Sequence, residues 1–215
     1  SQDLDVCVRS LMEKSSYRNL EFIIVENNSS QKETFAYYDK MQAEHTNFRV
    51  VTWKEGFNYS AINNYGASFA KGEYLLLLNN DTEPDFHYVG EMIKAIERSP
   101  KIFSVSCKMI QLCRKELMDD AGDMYSLLGW AYQRGVGRSS EKYNRACRIF
   151  SACAGAAIYR REVFDEIGYF DEMHFAYLED LDVGYRARIA GYDNIYCPTA
   201  MVYHVGSGTS GSKFN

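Results

Sequence analysis

With 215 residues, 46% of them hydrophobic, the chain can bury a substantial core as one domain, and no run approaches the roughly 20 apolar residues of a membrane-spanning helix. The net charge of −5, with 24 basic residues scattered rather than massed, excludes a surface that tracks a phosphate backbone, so nucleic acid is not an expected partner. Six cysteines without a CxxC pair, several inside apolar runs, argue against a disulfide framework; with no leader-like start at Ser1-Gln2-Asp3, the expectation is a reducing cytoplasm.

Apolar positions 4, 8, 11 and 12 predict a helix over residues 4–13, and the short run at 21–26 (EFIIVE) predicts a buried strand. That strand ends in Asn27-Asn28-Ser29-Ser30, a turn whose side chains are expected to cap a helix over 33–44. A second strand follows at 48–53 (FRVVTW). Residues 59–70 read as a helix closed by Lys71-Gly72, since glycine accepts the left-handed conformation that ends helices. Next, 73–78 (EYLLLL) is so uniformly apolar that both of its faces should be covered, as in a central parallel strand. Pro84 is expected to start a helix over 85–98, with a strand at 102–109 after it.

From 111 to 143 the pattern weakens into an irregular excursion. Regularity returns with a strand at 150–159, helices at 161–166 and about 180–190, and a strand at 194–202; the glycine-serine stretch 206–211 reads as mobile. Alternating strands and helices predict an α/β fold, an open, mainly parallel sheet with helices on both faces, whose ligands bind beyond the carboxyl ends of the strands.

Five groups could carry chemistry, three of them at those ends. Asn79, Asn80 and Asp81 leave the leucine strand together, and Asp81 could anchor a hard cation that takes oxygen ligands from carboxylates and phosphates; turn chemistry explains the same residues. Glu179 and Asp180 open a helix behind Phe175 and Tyr177. Crowded carboxylates against aromatic walls are raised in pKa and suit a general base, although an acidic first helical turn with Arg186 and Arg188 as exposed partners reads equally well. His204 could ligate a metal or meet a phosphate, or serve structurally. Glu26 and Asn27 end another strand on the same rim, and Asn64 and Gly66 precede the leucine strand, where contact with a ligand and packing of glycine on the sheet are both open.

Taken in order, VENNSS, GFNYSAINNYGASFAKGEYLLLLNNDTEP, CAGAAIYRREVF, GYFDEMHFAYLEDLDVGYRARIAGY and VYHVGSGTSG resemble family 2 glycosyltransferases, particularly the rhamnosyltransferase-like branch of bacterial polysaccharide assembly. The resemblance spans nearly the whole chain and implies one GT-A domain over 1–215, with a nucleotide-binding half (1–110) and an acceptor and catalytic half (111–215). It implies a UDP-, GDP- or dTDP-linked sugar donor, a divalent metal (Mg²⁺ or Mn²⁺), inversion at the anomeric carbon, and a glycan or lipid-linked acceptor, with peripheral association at the inner membrane face. On this resemblance Asp81 matches the metal-binding aspartate of the DxD motif, with Asn79 in place of its first acid and Asn80 between them. Asp180 matches the catalytic base, with Glu179 orienting it or touching the acceptor. Glu26 and Asn27 match positions that hold ribose and base, Asn64 and Gly66 match an Asn-x-Gly ahead of the DxD strand, and His204 matches a histidine near diphosphate and metal. The family's opening strand is expected to precede the first helix seen here, and the chain to be trimmed at both ends. An inactive nucleotide-sugar-binding homologue is the main alternative; a dehydrogenase is disfavoured because no GxGxxG follows a strand.

Overall fold

The computed structural model describes residues 2–206 of the chain. The expected mobile stretch lies, from 207 onward, outside the described residues. Helix α1 (Gln2–Met12) buries Leu4, Cys7, Val8 and Leu11 on one face. Strands β1 (Phe22–Glu26) and β2 (Phe48–Thr52) pair in parallel, with α2 (Lys32–Glu44) crossing between them. Helix α3 (Tyr59–Ala67) is capped by Asn58, whose Oδ1 accepts from Ala61 N at 3.0 Å, and leads into β3 (Tyr74–Leu78).

The second half contributes β4 (Thr82–Pro84), α4 (Tyr88–Ile96) and the ten-residue β5 (Ile102–Gln111), then three short strands, β6 (Met118–Asp120), β7 (Asp123–Tyr125) and β8 (Ala131–Gln133). After β9 (Cys147–Ile149) come β10 (Ala156–Arg160), α5 (Arg161–Ile167), α6 (Glu179–Ile189) and β11 (Asp193–His204). The main sheet has the order β3-β10-β5-β11-β4, with β6 and β9 attached to β5 and β11. Strands β3, β5 and β11 run the same way and β10 enters antiparallel between β3 and β5. Side chains alternate across this sheet with the two-residue period of a strand. Leu76 and Leu78 of β3 and Ile158 of β10 join a core with α1 and α4, whereas Leu75, Leu77 and Tyr159 join a second core with α5 and α6. The α/β architecture with helices on both faces is therefore the observed one.

Several local expectations are corrected. The leucine strand is covered on both faces, but it lies at the edge of the main sheet and pairs antiparallel with β10, because its partner arrives some 80 residues later. Pro84 does not start a helix: it closes β4 opposite Val202, on an edge strand where a missing N–H is tolerated, and α4 begins at Tyr88. Helix α3 ends at Ala67 rather than at Lys71-Gly72, because Ser68, Phe69 and Ala70 fold back onto the carbonyls of Asn64, Gly66 and Ala67. Ser29 and Ser30 do not cap α2, whose N-cap is Gln31; Ser29 is turned towards Glu26 instead. The strand expected over 150–159 is broken, since residues 150–155 cross the end of the sheet between β9 and β10. All six cysteines are free, in accord with the absence of a disulfide framework.

Candidate active site

The carboxyl ends of β3 and β11 meet at a compact polar junction. Thr82 to Pro84 pair with Val202 to His204, so the turn Asn79-Asn80-Asp81 is laid against the end of β11, where Val205 N donates to Asp81 O at 3.0 Å. This brings His204 Nε2 to 3.3 Å from Asp81 Oδ1, while His204 Nδ1 lies 2.7 Å from Asp119 Oδ2. Burial alone would lower the imidazole pKa, but hydrogen bonds to Asp119 and Asp81 outweigh it and lift it to about 9. The same His204 contact holds Asp81 below the usual carboxylate range.

Asp180 approaches from the other side. Tyr177 and Leu178 both adopt left-handed backbone (φ 72° and 69°), a costly arrangement for non-glycine residues that recurs where a site over-determines its geometry. The kink starts α6 with its acids facing inward. Asp180 Oδ2 accepts from Ala154 N (3.1 Å) and Oδ1 from Leu181 N (2.8 Å). Ala154 belongs to the crossing segment whose next residue, Gly155, accepts from Asn79 N at 2.9 Å, and the Tyr59 hydroxyl sits between Asn79 Oδ1 (3.4 Å) and Ala154 O (3.2 Å). Asp180 is thus linked to the Asn79–Asp81 turn by two hydrogen bonds, Ala154 N to Asp180 and Asn79 N to Gly155 O, through consecutive residues of the crossing segment. Burial pushes the Asp180 carboxyl up against the pull of its two backbone donors, and burial with the neighbouring Asp180 charge raises Glu179 to about 7. Glu179 is only 5% exposed and its Oε2 has no hydrogen-bond partner.

Three acids in the excursion complete the cluster. Asp119 and Asp120 end β6 and Asp123 opens β7. Asp120, raised chiefly by burial, also feels Asp180 and Asp119; Asp123, raised for the same reason, feels Asp120, Asp180 and Glu179. Sequence pattern missed them, although the string Asp119-Asp120-Ala-Gly-Asp123 is a visible acidic run, with Gly122 at φ 92°.

The other expected site residues are engaged within the protein. Glu26 accepts from Ser29 N (2.6 Å), Ser29 Oγ (2.7 Å) and Tyr38 Oη (2.8 Å), and Asn27 donates to the carbonyls of Trp53 and Glu55. Asn64 is latched to Phe170 in both directions and to Glu172, while a Cβ on Gly66 would lie 2.8 Å from Val25 Cγ2, which makes packing the reason for that glycine. Asn80 is exposed at the turn. Arg186, expected to be exposed, is folded in: it pairs with Asp182 and donates to the carbonyls of Ile167, Gly168 and Tyr169.

A buried amide fixes the position of α6. Asn194 of β11, 0% exposed, accepts from Ser104 Oγ (2.7 Å) and donates to the carbonyls of Phe150 (2.7 Å) and Gly184 (3.1 Å). At Gly184 a Cβ would fall 2.3 Å from Ser151 Cβ and 2.9 Å from Ser151 Cα. We predict that Gly184→Ala, despite better helix propensity, destabilises the fold by about 1–3 kcal/mol, because backbone must move. Thermal melts would register the loss.

A surface cavity of about 590 Å³, lined by Lys101, Glu162 and Gly191 among others, lies at the amino ends of β5 and β11, away from this chemistry. A smaller one of about 190 Å³, lined by Gln111, Cys113, Arg114, Asp119, Val205 and Gly206, opens at the carboxyl ends beside Asp119. Position, not size, favours the second.

The chain matches Glycosyl transferase family 2 over residues 1–168. It belongs to that family. Over 94% of its length it is 32% identical to "O-antigen biosynthesis protein RfbC" of Myxococcus xanthus, and over 98% it is 29% identical to "Uncharacterized protein y4gI" of Sinorhizobium fredii. A shorter match, 33% identity over 39% of the chain, is to "N-acetylglucosaminyl-diphospho-decaprenol L-rhamnosyltransferase" of Mycobacterium tuberculosis. The chain spans only 16% to 28% of the length of these relatives. Among solved structures, GalNAc-T7 with UDP, GalNAc and Mn²⁺ superimposes with a TM-score of 0.74 at 17% identity, covering 92% of this chain and 40% of that one. The mannosyltransferase PcManGT from Pyrobaculum calidifontis, in complex with GDP-Man and Mn²⁺, gives 0.66 at 15% identity over 97% of this chain and 53% of its own. These likenesses establish the GT-A fold of the family 2 domain. Among the described residues no helix is long and apolar enough to cross a membrane.

The titrating groups make the domain's stability depend on pH. His204 has a folded pKa of about 9, above its ordinary 6.5, so its contribution is complete below 6.5 and is lost as pH rises through 9. Glu179, raised from 4.5 to about 7, acts in the same sense over a lower range. Without added metal, the urea midpoint is expected to fall steadily between pH 5 and pH 9. A rise over that interval would contradict the geometry of both groups.

Proposed function

We propose that this domain transfers a sugar from a UDP-, GDP- or dTDP-linked donor to a hydroxyl of a glycan or lipid-linked acceptor, with inversion at the anomeric carbon. The single observation behind this reading is the joining of Asp180 to the Asp81–His204 pair through the Asn79–Gly155–Ala154 contacts. A buried carboxylate with a raised pKa is matched to taking a proton from a hydroxyl near neutral pH. Asp180 accepts that proton, the oxygen attacks the anomeric carbon, and the nucleoside diphosphate leaves from the opposite face. Glu179, buried beside it, orients Asp180 or touches the acceptor.

The residues present fit a divalent cation. Asp81 Oδ1 and His204 Nε2 lie 3.3 Å apart, close to the roughly 3 Å between adjacent ligands of an ion such as Mg²⁺. Asp119 fixes the far imidazole nitrogen, as carboxylates commonly do behind metal-bound histidines. Among the described residues no group of three or more His, Cys, Asp or Glu can hold an ion unaided, so donor phosphate oxygens would complete the shell. A bound Mg²⁺ or Mn²⁺ supplies Lewis-acid stabilisation of charge on the leaving diphosphate. The glycosyltransferases of known structure that share this fold were captured with UDP or GDP-Man and Mn²⁺, which supports the assignment.

Calorimetry with UDP, GDP and dTDP, each with and without Mn²⁺, alongside a donor-turnover assay, tests the proposal. Mn²⁺-dependent binding with turnover is the expected result. Binding without turnover would leave a nucleotide-sugar-binding homologue, and no binding would remove the proposal.

A further inference from the structure

The β7–β8 hairpin carries an apolar tip that nothing in the described fold covers. Leu127, Leu128 and Trp130 are 107%, 86% and 72% exposed, with Tyr132 half exposed beside them. Such a cluster on a soluble surface is unusual unless it meets a partner or a lipid phase. The tip is also held in shape: Ser126 N donates to Trp130 O (2.9 Å), Gly129 N to Ser126 O (3.0 Å) and Trp130 N to Ser126 Oγ (3.1 Å), with Gly129 at φ 84°. Little order remains to be imposed on binding.

Charge decides between occupants. Between Ser126 and Arg148 the chain has five basic residues and one acidic residue, although its net charge is −5; Arg148 pairs with Asp193 and Arg134 stacks on Tyr143 and Tyr196, which leaves Arg138, Lys142 and Arg145 on the exposed surface. This segment is tied to the hairpin base, where Arg134 N donates to Gly122 O and Ala121 N donates to Arg134 O, both at 2.9 Å. Two leucines, an interfacial tryptophan and a basic flank form the signature of a segment that enters the headgroup region of an anionic bilayer.

We propose that the 126–130 tip docks this domain on anionic lipid, inserting Leu127, Leu128 and Trp130 among the headgroups while Arg138, Lys142 and Arg145 lie over them. Asp123, at the base of the hairpin, shares the carboxylate cluster with Asp180, and two residues of strand plus the turn place the tip on the order of 10 Å from that cluster. A docked hairpin would hold the cleft within reach of a hydroxyl on a lipid-linked acceptor. That consequence rests on the transfer reaction proposed for Asp180; the docking itself does not.

The test is co-sedimentation of the full chain with vesicles of phosphatidylcholine alone or with phosphatidylglycerol, without donor or metal. Trp130 fluorescence and its quenching by brominated acyl chains are followed in a Trp53→Phe background. Binding is expected only with phosphatidylglycerol, weakening roughly tenfold or more in the double variant Leu127→Ser/Leu128→Ser and on raising salt from 0.1 to about 0.5 M, with Trp130 quenched. Circular dichroism confirms that the variant folds, and Arg138→Gln/Arg145→Gln provides a second lesion away from the tip. No binding, equal binding by the tip variant, or a concentration-dependent dimer that the tip variant abolishes would overturn the proposal, the last by assigning the surface to a second copy. Failed docking with intact Mn²⁺-dependent nucleotide binding removes this inference alone.

Discussion

Asp180→Asn is expected to lower transfer by roughly 10²–10⁴-fold, the usual contribution of a positioned base. The amide is isosteric and retains an oxygen for one of the two backbone donors, Ala154 N or Leu181 N. Because the native carboxyl is buried, raised in pKa and surrounded by Glu179, Asp120 and Asp123, removing its charge should leave the melting temperature unchanged or higher. Nucleoside diphosphate affinity should shift by no more than about twofold, since Asp81 and His204 are untouched. Steady-state kinetics, a melt and a calorimetric titration on one preparation decide it. Wild-type turnover would remove Asp180 as the base, and simultaneous loss of binding would reassign it to the donor pocket.

Asp81→Ala has the second large effect. It strips the negative partner from His204 Nε2 and leaves Asp119 alone on the imidazole. Mn²⁺ should then no longer strengthen nucleoside diphosphate binding, and transfer should fall by roughly 10²–10³-fold, the order seen when one stabiliser of developing charge is deleted. Asp119→Asn, which removes the carboxylate partner of His204 Nδ1, should cost a smaller 10- to 100-fold in metal affinity. The ranking is the informative part: if Asp119→Asn proved as damaging as Asp81→Ala, the imidazole and not the carboxylate would be the principal ligand.

The strand that carries Asp81 was legible because four consecutive leucines, alternating between two cores, are recorded directly in the chain. That Asp81 and His204 meet was likewise predictable from the rule that ligands gather beyond strand carboxyl ends. The neighbours of β3 were not legible: its partner β10 lies far along the chain, and short-range pattern has no access to such pairing. Asp119, Asp120 and Asp123 escaped notice because β6 and β7 are three residues each, too short to show alternation, and the burial that raises Asp120 and Asp123 comes only with the fold. Glu26 and Asn64 show the converse limit. Sequence locates polar residues on the rim, but whether a side chain points to a ligand or closes a turn depends on partners such as Tyr38 and Phe170 that only folding supplies.

Strand β11 has a consequence for how such a domain diversifies. Near its start Asn194 grips the carbonyl of Gly184, four residues beyond Asp180, and its last residue is His204. One strand, irregular between Cys197 and Met201, therefore runs from the helix of the proposed base to the histidine proposed to face the metal. The hairpin tip at 126–130 and the loop before α6 are attached outside that strand, so natural variation can rewrite the surfaces around the carboxylates while the strand that relates them is kept.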